Sequence, residues 1–342
     1  MRIPRSAPPR PPRRPPAPDA VRDARRAEGA TRRPDDGYCP YELDPDPAGC
    51  GLVAGATPTA LGIVRHRSAP RRASATATVL LHGAAGTWTT WTPALRAARE
   101  AGAPLEDVVA LDLPGWGASV LDVPEEEVTL DAVVDAVLRV VTGLGYRDCR
   151  LVGHSMGGFV ALHAAVRHPD RVRSLALVSP TLRSVIRSAA HPIRGVAVLP
   201  GFSMMLGAMR TTRVLGPAGL ALVRILQRAG LLRPLTFPLF AHVRRIRGSV
   251  IAALATEVRP RGFLRATEIA VAYPADGMWP GIACPVVAVR GGHDVFVGPE
   301  DLPGLARDVP GVRLAVIADA GHFGHVERPA ETLRALGMIP PV

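Results

Sequence analysis

Lysine is absent from the 342 residues, so the whole cationic charge of a chain with formal net charge +11 is arginine. Acidic residues are missing from one long stretch: from Arg171 to Thr256 there is no Asp or Glu, while thirteen arginines fall there. The remainder of the chain therefore nets −2, and the basicity is local. Aromatic residues are only 4% of the chain, and the arginines alternate with Val, Leu, Ile, Met and Phe. A surface that stacks bases needs aromatics among its cations, so nucleic acid is excluded as a partner. No uninterrupted apolar run is long enough to span a bilayer, since Gly195–Leu232 is broken by Arg210, Arg213, Arg224 and Arg228. The four cysteines, Cys39, Cys50, Cys149 and Cys284, show no Cys-x-x-Cys or Cys/His ligand spacing, which excludes a zinc site. Cys149 and Cys284 read as buried thiols at strand ends, and Cys39 and Cys50 are able to pair only in an exported protein; reduced thiols in a cytoplasmic protein are the expectation. A phosphate-cradling glycine loop is missing as well, and no cofactor is expected.

What is present suffices for one large core: 47% of residues are hydrophobic, and a chain of this length accommodates a single α/β domain. Residues 1–36 stand apart. They are rich in Pro and Arg with almost no large apolar side chain, a composition that cannot offset the entropy of ordering, so this tail is expected to be disordered or partly polyproline II. No apolar segment follows its arginines, unlike a secretory signal.

The most informative segment is Leu151-Val152-Gly153-His154-Ser155-Met156-Gly157-Gly158, a Gly-x-Ser-x-Gly between a short apolar run and a helical pattern. Cys149–Val152 reads as a strand. From Met156 to Arg167, Phe159, Leu162, Ala165 and Val166 recur at helical spacing until His168-Pro169 stops them. A serine hydroxyl is a weak nucleophile at neutral pH, and a sharp strand-to-helix turn lifts its oxygen clear of the backbone. Side chains at Gly153 or Gly157 would collide with the neighbouring strand and helix. Such a serine needs a histidine to take its proton and a carboxylate to orient that histidine. Pro285–Arg290 reads as a buried strand running into Gly291-Gly292-His293-Asp294, and Val312–Ile317 as the next, running into Asp319-Ala320-Gly321-His322-Phe323. Asp294 alone is explicable as a turn former, and His322 alone as a capping or core histidine. Together with Ser155 they occupy three loops at the carboxyl ends of strands, where open α/β sheets bind ligands. His154, His293 and His325 are the competing histidines; Asp319 and the pair Glu300-Asp301 are the rival acids, the pair reading as the first turn of a helix after Pro299. Backbone N–H groups must hold a developing oxyanion. Met156, after the serine, supplies one, and the loop His82-Gly83-Ala84-Ala85-Gly86 after the strand Thr78–Leu81 supplies the other, through Ala84.

In these pieces the chain resembles the α/β-hydrolases that use a serine nucleophile, esterase- and lipase-like enzymes with an inserted cap. The resemblance rests on Leu80-Leu81-His82-Gly83, on Asp112-Leu113-Pro114-Gly115-Trp116-Gly117-Ala118-Ser119, on the Gly153–Gly158 elbow, on Gly291–Asp294 and on Ala320–Pro329. It spans roughly residues 55–340. It implies a mostly parallel eight-stranded sheet flanked by helices, a core formed by 37–180 and 276–342, a helical cap over 181–275, a structural rather than catalytic turn at Asp112–Ser119, and a cofactor-free hydrolase of an ester, thioester or lactone acting through Ser155, His322 and Asp294. Members with aspartate at the elbow act as dehalogenases or epoxide hydrolases, and Ser155 argues against both. Two alternatives stay open: carbon–carbon bond hydrolysis or perhydrolysis on the same triad, the former disfavoured by His154 where such enzymes tend to carry asparagine, and an idle binding or accessory module. About a hundred residues between the strands at 174–179 and 285–290 are too many for a plain loop, which independently calls for an inserted unit. Ala218–Ala229 and Val250–Val258 in it have helical composition. Met204, Met205, Leu206, Phe237 and Phe240 are expected to line its acyl pocket. Its arginines, Arg210 and Arg213 among them, have three readings: attraction of an anionic substrate or carrier, contact with an anionic membrane surface, or a solvated face.

Overall fold

The computed structural model describes residues 36–341; the tail expected to be disordered lies, but for Asp36, outside the described residues. Residues 38–342 group as one compact unit. Eight strands, β1 (Val53–Thr59), β2 (Gly62–Ser68), β3 (Thr76–Leu81), β4 (Val108–Leu111), β5 (Asp148–His154), β6 (Val172–Val178), β7 (Val286–Gly291) and β8 (Arg313–Ile317), form a single sheet in the order β1-β2-β4-β3-β5-β6-β7-β8. β2 pairs antiparallel with β1 and β4, and every pairing from β4 through β3 to β8 is parallel.

The central strands are continuous apolar runs because both of their faces are buried. Side chains alternate across a strand. Val79, Leu81, Leu151, Leu177 and Ala288 meet one cluster, which includes α2 (Leu130–Gly143) and α3 (Met156–Arg167). Leu80, Val152, Val178 and Val289 meet another, which includes Trp88, Trp91, α1 (Thr92–Glu100) and α14 (Pro329–Ala335).

Between β6 and β7 the insertion is built of helices joined by short irregular pieces: α4 (Arg183–Ala190), α5 (Pro192–Val198), α6 (Pro200–Leu215), α7 (Pro217–Arg228), α8 (Leu232–Leu235), α9 (Gly248–Thr256), α10 (Pro260–Ala272) and α11 (Ala275–Met278). Its segmentation is written in proline. Pro192, Pro200, Pro217 and Pro260 each stand in the first turn of a helix, where a missing N–H costs nothing. Between α6 and α7 the chain reverses at Gly216, with φ +55°, a conformation that favours glycine. Among the described residues, no helix is long and apolar enough to cross a membrane.

After β7 come α12 (Asp301–Asp308), β8, α13 (Gly324–Glu327) and α14. Glu300 precedes α12 as its N-cap residue and Asp301 lies in its first turn, as the sequence pattern predicts.

Candidate functional site

Ser155 follows β5 and precedes α3, with φ +51° and ψ −117°. A non-glycine residue in that region is strained, and the packing around it maintains the strain. Leucine, valine and glycine before it make a buried strand. Gly153 and Gly157 are required by close approach: a Cβ at Gly153 would overlap the Gly157 backbone, and one at Gly157 would overlap the carbonyl oxygens of Leu81 and His82. At Gly83 a Cβ would press on the His154 ring and on Ser155.

His322 follows β8 and is buried; its Nδ1 lies 3.1 and 3.2 Å from the two carboxylate oxygens of Asp294, itself buried on the loop after β7. Asp294 is held in turn by the N–H of Phe296, which donates to Oδ1 at 2.8 Å. The rival acid Asp319 is engaged elsewhere. Its Oδ1 lies 2.6 Å from Nε2 of His242, and Arg328 binds its Oδ2. Asp301 is occupied too, accepting from Ser184 N and Gly298 N.

The competing histidines are structural. His154 Nε2 lies 3.0 Å from the carbonyl oxygen of His322 and so donates to it. Burial, with His325 and His322 beside it, holds the His154 pKa well below the usual imidazole range, so it stays neutral. His325 packs at 4.5 Å from the His154 ring and 4.4 Å from Trp91, and burial pushes its pKa down to about 3. The His293 ring lies 6.3 Å from that of His242, tilted by 53°.

Ser155, Met156, Ala84 and His322 all border one apolar cavity of about 70 Å³, with Phe296, Phe202 and Met205 in its walls. Among the described residues neither Ala84 N–H nor Met156 N–H has a protein acceptor. The loop carrying Ala84 is fixed by His82, a residue that sequence reasoning passed over. Its Nε2 accepts from Leu113 N at 3.0 Å, which leaves Nδ1 to donate to Gly83 O at 2.7 Å. Asp112 is structural, as expected: it receives Arg67, Trp88 N and Ala118 N.

Glu327 was also missed. Fully buried, it accepts from Tyr38 Oη at 2.7 Å, Ala241 N at 2.8 Å, Gly321 N at 2.9 Å and Phe323 N at 3.1 Å. Gly321 and Phe323 flank His322, whose own N–H donates to Leu239 O at 2.9 Å. One carboxylate thus clamps the histidine loop to the insertion. Only the buried Tyr38, 289 positions away, could have signalled a partner for it, and sequence spacing carries no such information.

Of the five residues expected to line the acyl pocket, the structure brings only Met205 to this cavity. Met204 borders a second chamber beside it. Leu206, in contrast, is turned into the core and an outer cleft with Arg210 and Arg213; Phe237 is 60% exposed; Phe240 packs on Phe323 at 5.3 Å, behind the histidine loop. The 3.6-residue period of α6 separates Met205 from Leu206, and Phe237 and Phe240 lie in short irregular pieces without a period to read. Arg210 and Arg213 border an outer cleft and not the Ser155 cavity. The walls overlooked in the sequence are Phe159, Phe202, Phe263 and Phe296.

The four cysteines are free thiols. Burial pushes Cys149 up to about 12 and Cys39 up to about 11, far from nucleophilic at neutral pH.

The model of the Alpha/beta hydrolase family matches residues 78–335, from within β3 to the end of the last helix. The chain is 31% identical over 229 residues to a pimeloyl-[acyl-carrier protein] methyl ester esterase of Neisseria meningitidis, covering 67% of this chain and 80% of that one. Among solved structures, a thermophilic esterase from Thermogutta terrifontis superposes with a TM-score of 0.62 at 21% identity, over 83% of this chain and 97% of that one. The enol-lactonase from Burkholderia xenovorans LB400 superposes with a TM-score of 0.59 at 21% identity, over 81% of this chain and 96% of that one. With the sheet order, the elbow and the family match in agreement, the chain belongs to the alpha/beta hydrolase family, as an esterase-like hydrolase.

Proposed function

We propose that the protein is a cofactor-free serine hydrolase that cleaves an acyl substrate, an ester, thioester or lactone, through an acyl-enzyme. The observation that carries this reading is the convergence on one apolar cavity of Ser155 at a strained elbow, His322 held by Asp294, and two N–H groups without protein acceptors. Ser155 Oγ attacks the carbonyl carbon while His322 Nε2 takes its proton. Asp294 keeps the proton on Nδ1 and stabilises the imidazolium that forms. The N–H groups of Ala84 and Met156 receive the oxyanion, a contribution of roughly 3–4 kcal/mol for each donor. His322 then protonates the leaving group, and a water activated by the same histidine releases the acid. The helical insertion acts as a cap: its residues Phe202, Met205, Leu239 and Phe263 close the cavity, excluding water and shaping the acyl site. An ester-bearing small molecule is the substrate class, in keeping with the methyl ester esterase among the relatives.

The test is turnover of a p-nitrophenyl ester by the Ser155→Ala variant. The reading expects kcat to fall by a factor on the order of 10⁵–10⁶ with the fold intact. Turnover within a few-fold of the parent would remove Ser155 from the mechanism.

A further inference from the structure

The outer face of the insertion is apolar and basic at once. Leu222 and Ile225 on α7, Leu235 on α8 and Phe237 after it are exposed; on α5 and α6, Ile193 is 92% exposed and Val214 86%. Helix α7 shows the anomaly best. Val223 and Leu226 line an inner chamber, as a helix packed on a protein should, yet Leu222 and Ile225, on the adjoining strip of the same helix, are exposed to water. A helix solvated on one side normally carries polar residues there. The cations on α7 are Arg224 and Arg228; among the described residues neither makes an ion pair, nor do Arg194 on α5 or Arg210 and Arg213 on α6. The chamber beneath, of about 320 Å³, shares Ala85, Met205, Leu239, Leu254 and Phe296 with the Ser155 cavity. Met204 and Leu235 belong both to its wall and to the exposed face, which puts its mouth on that face.

We propose that this face of the insertion is a docking surface for an anionic lipid bilayer. Exposed side chains of Ile, Leu and Phe enter the boundary between headgroups and acyl chains, and the arginines meet the lipid phosphates. Charge complementarity selects this occupant. A second copy seated on α7 by two-fold symmetry would set arginine against arginine, and residues 171–256 hold no acid to meet them, and an acidic soluble protein leaves so many large apolar side chains unexplained. Seated in this way, the chamber opens at the lipid surface and fits a hydrocarbon chain that continues toward Ser155; this last step rests on the esterase reading above.

Binding is measured with the full-length Ser155→Ala chain, by co-sedimentation with vesicles of phosphatidylcholine alone or mixed with phosphatidylglycerol. Binding is expected to the mixed vesicles, to weaken as salt rises, and to fall at least roughly tenfold in the double variant Leu222→Asp/Ile225→Asp, both sites being exposed and the fold checked by thermal unfolding. Equal binding by parent and double variant would overturn the proposal, because charge alone, including that of the arginine-rich residues 1–35, would then account for it. So would no binding at all, or a parent dimer that the double variant makes monomeric. In a separate arm, the wild-type chain is expected to hydrolyse a long-chain ester dissolved in the mixed vesicles several-fold faster than the double variant does. Since docking is read on a chain without the serine, its failure leaves the esterase reading standing, and a wild type inactive on every ester leaves the docking result standing.

Discussion

The choice between two carboxylates near one histidine is made at the level of single atoms. Asp294 faces both of its oxygens toward His322 Nδ1, whereas the oxygens of Asp319 are taken by His242 and Arg328. Asp294→Asn is therefore expected to lower kcat by about 10⁴-fold, because the amide favours the wrong imidazole tautomer. Asp319→Asn is expected to leave kcat within a few-fold and to show its effect in the thermal midpoint. Steady-state kinetics of the two variants side by side decides the assignment. A larger loss of kcat in Asp319→Asn would transfer the orienting role to it. In the sequence both acids stand on loops after strands, and the pairing of Asp319 with residues 77 and 9 positions away leaves no local signal.

At the scale of elements, the loop bearing His322 is held by Glu327 rather than by its own strand. Truncating Glu327 to Ala strips acceptors from Tyr38 Oη and from three backbone N–H groups. A loss of about 3–5 kcal/mol of stability is expected, since buried donors left unpaired cost their full desolvation. Urea unfolding measures it, and a change below about 1 kcal/mol would show that the loop has another anchor. The elements themselves were largely legible. β5, α3, β7 and β8 emerge within a residue or two of their sequence readings, because buried apolar runs, glycine-bounded turns and helix-starting prolines are local signals. The antiparallel pair β1 and β2 was not read as strands, since Val53–Thr59 is mostly exposed and Gly62–Ser68 alternates polar with apolar residues. The lining of the cavity was legible least. Which side of an insertion helix faces Ser155 depends on how α6 and α10 pack on one another, and no local period encodes that.

On the scale of the whole molecule, the sheet divides chemistry from stability along its strands. The site lies at the carboxyl ends of β3, β5, β7 and β8. At the amino end of β5, Asp148 binds Arg173 on β6, Thr76 on β3 and Arg147. The Arg173 guanidinium first, with Thr76 and Arg147, holds the Asp148 carboxyl at about 2, below its ordinary value of 3.8. A depressed carboxylate pKa adds stability that is present above pH 4 and is lost as the pH falls toward 2. Asp148→Asn is accordingly expected to be less stable than the parent at pH 7, with the gap closing between pH 4 and pH 2; urea midpoints across that range test this, and a gap independent of pH would assign the effect to packing. At the opposite end of the strands, the proposed ester hydrolysis requires Ser155 to be the activated nucleophile. It is tested most directly by treating the intact chain with a fluorophosphonate and mapping the adduct by mass spectrometry. A single adduct on Ser155, absent from both Ser155→Ala and heat-unfolded protein, is the predicted result. No adduct on the folded chain, or an adduct on another residue with Ser155 unmodified, would contradict it.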